Sequence, residues 1–262
     1  MTEFRLRAQD LELRYADRVV STRLSLGVPD GAFTAIVGAN ACGKSTLLRA
    51  LVRLLKPAAG QVLLDGREIT SYGAKALARS LGFLPQDPLA PEGIKVRQLV
   101  GRGRFPHQPL LALWSAEDEE AVTEAMVTAG VHDLADRPVS ELSGGQRQRV
   151  WVAMVLAQRT PYLLLDEPTS FLDLTHQYRL LALLARLRGQ GRTVITVLHD
   201  INQACRFADH LIAMKDGRIV AEGAPAEIVD AALIKEIFDL PSVVVPAPVT
   251  ATPMIVPTLD LH

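Results

Sequence analysis

Gly38, Gly43, Lys44 and Ser45 stand in the string Gly38-Ala39-Asn40-Ala41-Cys42-Gly43-Lys44-Ser45, which fits the pattern G-x-x-x-x-G-K-[ST]. The chemistry open to such a string is phosphate binding. Small residues let backbone N–H groups wrap an oxyanion, and the N-terminus of a following helix adds partial positive charge. Lys44 is then placed to reach the β- and γ-phosphates of a nucleotide, and the Ser45 hydroxyl suits Mg2+. Farther along, Asp166 ends the apolar run that begins at Tyr162, and Glu167 follows it. A carboxylate at the C-terminal end of a parallel strand faces the ligand crevice. Asp166 is therefore the expected Mg2+ partner and Glu167 the expected general base toward water.

The elements around these residues must position them. Phe33–Val37 is a continuous β-prone run that ends in Gly38, and Thr46–Leu55 has a helical pattern, so the phosphate-binding string lies between a buried strand and a helix. Residues 4–36 read as strands, with alternation at Phe4–Ala8 and Leu11–Tyr15, and Gln61–Gly66 reads as a strand and turn. The middle third is helical. Ser115 and Asp118 form a capping box that opens a helix over Ala116–Ala129, whose acidic first turn, Glu117–Glu120, is read as favourable to the helix dipole. A second helix follows Gly144-Gly145, with Trp151 and Met154 as core positions. Tyr162–Asp166 and Thr193–Leu198 are buried-type strands, and Thr175–Arg188 is a Leu-rich helix between them. Strands alternating with helices imply a parallel sheet covered by helices.

Composition narrows the class. The 262 residues carry 28 Lys and Arg against 29 Asp and Glu, a net charge of −1, with 48% hydrophobic residues. Length allows one large domain or two small ones. Disorder is excluded for most of the chain, and a nucleic-acid binder driven by bulk charge is disfavoured. The 2 cysteines, Cys42 and Cys205, make neither a disulfide framework nor a zinc site. The charged N-terminus lacks the apolar core of a signal peptide. Val150–Ala157 is too short to span a membrane, and Val243–Pro257 is broken by Pro246, Pro248, Pro253 and Pro257. The expectation is a soluble cytosolic chain that reaches a membrane through a partner.

Leu142-Ser143-Gly144-Gly145-Gln146 is the most specific string of all, and with it the sequence resembles the ATP-binding cassette family, over roughly residues 4–240. The resemblance implies an α/β fold: a RecA-like P-loop NTPase core sheet with an antiparallel β subdomain and an inserted helical subdomain. It implies that Tyr15 stacks on adenine and that Gly38, Ala39, Asn40, Ala41, Cys42, Gly43, Lys44, Ser45 and Thr46 hold the nucleotide. Gln86 matches the glutamine that senses Mg2+ and the attacking water, so Ser45, Gln86 and Asp166 are the implied metal ligands. Glu167, His199 and Gln86 are the implied catalytic set, with His199 on the γ-phosphate. Ser143, Gly144, Gly145 and Gln146, with Asp173 in the segment Ser170–Asp173, are implied to act in trans on ATP held by a second copy of the chain. Two copies then close head to tail around two ATP molecules, and hydrolysis reopens them. Many family members carry Pro and Gly where Ala39 and Ala41 stand. A left-handed backbone at Ala41 would cost roughly 1–2 kcal/mol.

A narrower resemblance, to ATPase subunits of iron–siderophore importers, rests on Gly101–Gln108, Leu113–Glu120, Leu142–Arg149, Met154–Gln158 and Leu198–Arg206. It implies ATP and Mg2+ as cofactors, integral membrane permease subunits as partners, an indirect link to a substrate-binding protein, no nucleic acid, and a peripheral location on the cytoplasmic face of the inner membrane. The rivals are the same engine serving cobalamin or haem, and a soluble ATP-binding regulator without transport. The expected organisation is a nucleotide-binding lobe over residues 1–86 and 160–240, a helical lobe over 87–159 and a Pro-punctuated tail over 241–262. Arg102, Arg104 and His107 are read as a solvated basic loop. Residues 87–114, with Leu110, Leu111 and Leu113, are expected to help form the groove for the permease. Cys42, beside Lys44 and a helix N-terminus, is expected either to have a lowered pKa, so that a thiol reagent blocks ATPase activity and ATP protects, or to be an unreactive small residue.

Overall fold

The computed structural model describes residues 4–16, 18–108 and 114–258. In chain order the elements are β1 (Leu6–Tyr15), β2 (Arg18–Val28), β3 (Phe33–Gly38), α1 (Lys44–Leu51), β4 (Ala59–Leu64), β5 (Arg67–Glu68), α2 (Ala74–Ser80), β6 (Leu81–Leu84), α3 (Val96–Gly101), α4 (Ala116–Thr128) and α5 (Gly144–Ala157). They continue with β7 (Tyr162–Asp166), α6 (Leu174–Gly189), β8 (Thr193–Val197), α7 (Ile201–Phe207), β9 (His210–Lys215), β10 (Arg218–Gly223), α8 (Pro225–Ile228), α9 (Ala231–Phe238), β11 (Ser242–Pro246) and β12 (Pro253–Pro257). The chain forms two compact units, residues 1–71 with 185–262, and residues 72–184.

The first unit contains both kinds of sheet. β3 pairs in parallel with β8 on one side and β9 on the other, and β10 adds antiparallel to β9. Every residue of β3 and β8 is buried, the pattern of strands covered on both faces. The second sheet is antiparallel, in the order β2-β1-β4-β5, and alternates buried and outward residues along β1. α1 lays Leu47, Leu48 and Leu51 into the core. The tail is ordered rather than merely punctuated by proline. β11 and β12 pair from Ser242↔Pro257 to Pro246↔Pro253, and three of these prolines stand at strand ends, where a missing N–H does little harm.

In the second unit β6 and β7 pair in parallel, and α3, α4 and α5 pack around Val100, Val122, Met126 and Val150. Ser115 caps α4 as its sequence indicates, accepting from Asp118 N at 3.1 Å. The basic loop departs from the solvated reading. Arg104 is only 1% exposed; its Nε donates to Asp118 Oδ1 at 2.8 Å, its Nη2 to Glu117 Oε1 at 3.2 Å and its Nη1 to the Ala157 carbonyl at 3.0 Å. His107 Nε2 lies 2.8 Å from the Gln158 carbonyl, and Arg102 alone of the three stays exposed. The first-turn acids thus do more than face the helix dipole: Asp118 is the buried counter-ion of Arg104. Burial raises its pKa, but the hydrogen bonds from Arg104 and Ser115 outweigh that and hold the carboxyl below its ordinary value.

Candidate nucleotide site

The string Gly38–Ser45 is built entirely within the first unit. β3 delivers Gly38 from the buried sheet, and α1 starts at Lys44. Between them the backbone turns left-handed at Ala41, with φ of +61°, the conformation whose penalty for alanine the sequence raised. Lys44 is 5% exposed and its Nζ donates to the carbonyls of Gly38 and Ala39, each at 2.9 Å. The ammonium therefore lies buried against the loop's own carbonyls. Tyr15, at the end of β1, is 42% exposed, and Arg49 Nη1 donates to its hydroxyl at 3.3 Å, which steadies an open aromatic face. His199 is exposed just beyond β8.

Cys42 corrects the expectation of a lowered pKa. Its thiol is buried; desolvation pushes its pKa up, and the nearby Lys44 ammonium offsets this only in part. Burial likewise pushes Cys205 up to about 12. Both thiols are protonated at neutral pH, because a raised pKa moves the thiolate to higher pH. Labelling of the folded chain by a thiol reagent is therefore expected to be slow at pH 7 and to accelerate as pH rises. Complete labelling within minutes at pH 7, without unfolding, would contradict this.

The turn between β9 and β10 underlies the loop, a role no sequence pattern announced. Gly217 N donates to the Cys42 carbonyl at 2.9 Å, and the Ser21 hydroxyl donates to the Gly217 carbonyl. A Cβ on Gly217, whose φ is +75°, would lie 1.8 Å from the Val20 carbonyl oxygen, and one on Gly38 would lie 2.1 Å from the Met214 carbonyl oxygen. Three backbones are thus stacked too closely for any side chain. Gly217→Ala is expected to destabilise the chain by at least ~2 kcal/mol, from the left-handed φ and the displaced strand, lowering the unfolding midpoint by roughly 4–8 °C. It should also weaken ATP binding. Calorimetry and ATP titration check both, and an unchanged midpoint would refute the prediction.

The second unit carries the other residues. β7 ends at Asp166, which has no exposure, and Glu167 follows at φ +51° with 7% exposure. A left-handed glutamate is strained backbone of the kind that concentrates at reactive sites. Gln86 Nε2 donates to Glu167 Oε2 at 2.7 Å, which fixes the carboxylate and leaves the glutamine's oxygen as an acceptor for other partners. Gln148, 4% exposed on α5, donates to the Pro168 carbonyl at 3.1 Å and so ties the helix behind Ser143 to the segment behind Glu167. Its only sequence signal was a polar residue on an apolar helix face. Ser143 caps α5 in a reciprocal box with Gln146: Gln146 N donates to Ser143 Oγ at 3.2 Å, and Ser143 N to Gln146 Oε1 at 3.1 Å. Gly144 and Gly145 form the first turn, whose N–H groups precede any intrahelical acceptor. Asp173 caps α6, accepting from His176 N at 2.8 Å and facing His176 Nδ1 at 2.7 Å. These His176 contacts hold its carboxyl below the usual carboxylate range.

A family model described as ABC transporter matches residues 21–170, from β2 through the Glu167 segment. The chain belongs to the ABC transporter family. The chain is 55% identical to the Ferric enterobactin transport ATP-binding protein FepC of Escherichia coli (strain K12), over 97% of this chain and 94% of that protein. It is 43% identical to the Iron(3+)-hydroxamate import ATP-binding protein FhuC of Bacillus subtilis (strain 168), over 98% of this chain and 95% of that one. Among solved structures it is similar to the dimeric bacterial ABC transporter cassette MJ0796, with a TM-score of 0.76 and 28% identity over 84% of this chain and 98% of that chain. The fold is the expected α/β P-loop NTPase cassette, and the chain is an ATP-binding, ATP-hydrolysing ABC ATPase. Among the described residues, no helix is long and apolar enough to cross a membrane.

Proposed function

We propose that this ABC ATPase powers the import of ferric siderophores through separate permease subunits at the cytoplasmic face of the membrane, fed by a substrate-binding protein. The observation that carries the cargo class is likeness over 97% and 98% of the chain to subunits whose names specify ferric enterobactin transport and iron(3+)-hydroxamate import. Two ferric chelates of different chemistry point to a class of cargo rather than one compound.

In this reading Gly38 through Thr46 wrap the triphosphate, Lys44 exchanges its two carbonyl partners for phosphate oxygens, and Tyr15 stacks on the base. Ser45, Asp166 and Gln86 offer a hydroxyl, a carboxylate and an amide oxygen, the hard oxygen donors that suit Mg2+. The ion, when bound, neutralises charge on the β- and γ-phosphates. Glu167, held by Gln86, accepts a proton from water as the water oxygen bonds to the γ-phosphorus. The bond from the γ-phosphorus to the bridging oxygen breaks, and ADP and phosphate leave. His199 donates toward the γ-phosphate as charge builds there. Ser143, Gly144, Gly145 and Gln146, with Asp173, serve ATP held by a second copy; the dimeric state of the similar cassette supports that arrangement.

The permease docks on the second unit. A groove of 730 Å3 there is lined by Ile94, Arg102, Phe105 and Trp114, and Phe105 and Trp114 are 60% and 46% exposed. Leu110, Leu111 and Leu113 lie outside the described residues. Uptake of labelled ferric siderophores, compared in cells with and without the chain, tests the function. Uptake that persists without the chain, or loss of labelled cobalamin or haem uptake instead, would overturn the cargo assignment.

A further inference from the structure

The tail hairpin is fastened to one residue of α7. Asn202 Nδ2 donates to the Ile255 carbonyl at 3.2 Å, and Ile255 N donates to Asn202 Oδ1 at 2.7 Å. The side-chain amide thus replaces a strand neighbour for the middle of β12, and Ile255 itself is 4% exposed. The same residue is held from the other side: Asp200 Oδ1 accepts from Asn202 N at 2.8 Å and from Gln203 N at 3.1 Å. Upstream, Leu198 N donates to the Ile36 carbonyl at 3.1 Å, which anchors the end of β8 to β3. His199 is the residue between these anchors. One is the core sheet, and the other is a helix turn fastened to the tail.

We propose that Asn202 and the β11–β12 hairpin form a clamp that positions His199 for ATP hydrolysis, which makes Asn202 a positioning residue and gives the tail a role in turnover. This rests on the reading of His199 as the residue that contacts the γ-phosphate. The physical reason is leverage. A two-stranded hairpin is marginal alone, so its order rests on packing against α7 and α9, and the Asn202 amide couples it to the first turn of α7. An imidazole displaced by about 1 Å at a reacting phosphate loses up to about a hundredfold in rate. ATP binding uses the phosphate loop, and the bonds of Asn202 go to Ile255 and Asp200, so the loss should fall on kcat and spare KM.

The test is a double-mutant cycle in the full chain, with ATP turnover, KM and unfolding midpoint measured. Asn202→Ala should lower kcat about tenfold with KM for ATP within about twofold, and a chain ending at Leu240 should lose the same factor. In a His199→Ala background, Asn202→Ala should cause no further loss. Should the alanine variant fail to accumulate, Asn202→Asp carries the same cycle, because it breaks the bond to the Ile255 carbonyl while keeping the acceptor for Ile255 N. Unchanged kcat in Asn202→Ala and in the shortened chain would overturn the proposal alone. An equal fractional loss with and without His199 would do so too, since it would mark a structural role. Full turnover in His199→Ala by itself would remove the reading of His199 and the proposal with it.

Discussion

Replacing Glu167 with glutamine is expected to slow ATP turnover by about 10²–10³-fold while ATP still binds with near-native affinity. The substitution keeps shape and hydrogen-bonding reach. An oxygen remains to accept from Gln86 Nε2, which stands 2.7 Å from Glu167 Oε2 in the native chain. The strained backbone at φ +51° is as accessible to Gln as to Glu. What disappears is basicity, and with it the acceptor for the proton of attacking water. Because the phosphate loop is untouched, ATP should then hold the two copies together for longer. Phosphate release measures the first effect, ATP titration the second, and light scattering in ATP the third. Turnover within about twofold of native would remove Glu167 from the base role.

Arg104→Met is expected to destabilise the chain by about 3–5 kcal/mol, because it leaves Asp118 buried without its counter-ion. Arg104 and Asp118 are 1% and 5% exposed, and the guanidinium also serves the Ala157 carbonyl at the end of α5. Replacing both partners, as in Arg104→Met with Asp118→Leu, should recover part of the loss, since two apolar side chains leave no orphaned charge. The pH dependence has a definite sign. The Asp118 carboxyl is held below its ordinary value in the folded chain. Its contribution is therefore complete above the unfolded carboxylate pKa and is lost as pH falls through the lower folded value. The gap in unfolding midpoint between the native chain and Arg104→Met should narrow in acid. A stability difference below about 1 kcal/mol at pH 7 would show that the pair is not the buried clamp its geometry describes.

Part of this protein was legible because its chemistry is local. Gly38 through Ser45, Asp166 with Glu167, and Ser143 with Gln146 are contiguous or one helical turn apart, so residue order alone sets their relative geometry. The strand runs around Phe33 and Thr193 and the capping box at Ser115 were readable for the same reason: hydrophobic period and cap chemistry are properties of neighbours in sequence. Arg104 was misread because charge in sequence says nothing of burial. A basic loop and a buried ion pair have the same composition until a helix brings Asp118 to 2.8 Å. At Cys42 the sequence shows the nearby positive charge but not the desolvation, which decides for the unreactive thiol.

By itself, then, the sequence determined which groups are present and which lie within one turn of each other: the phosphate loop, the paired carboxylates, the signature at the head of α5. Only the tertiary structure decided which residues distant in sequence meet. Gly217 under the loop, Gln148 behind Glu167 and Asn202 on Ile255 join positions far apart in the chain, and the last pair is separated by 53 residues. A single sequence gives such residues no local pattern. Their roles arise from backbone carbonyls and amides that meet only after the sheets have closed, and those backbone groups are the same whatever the residue type.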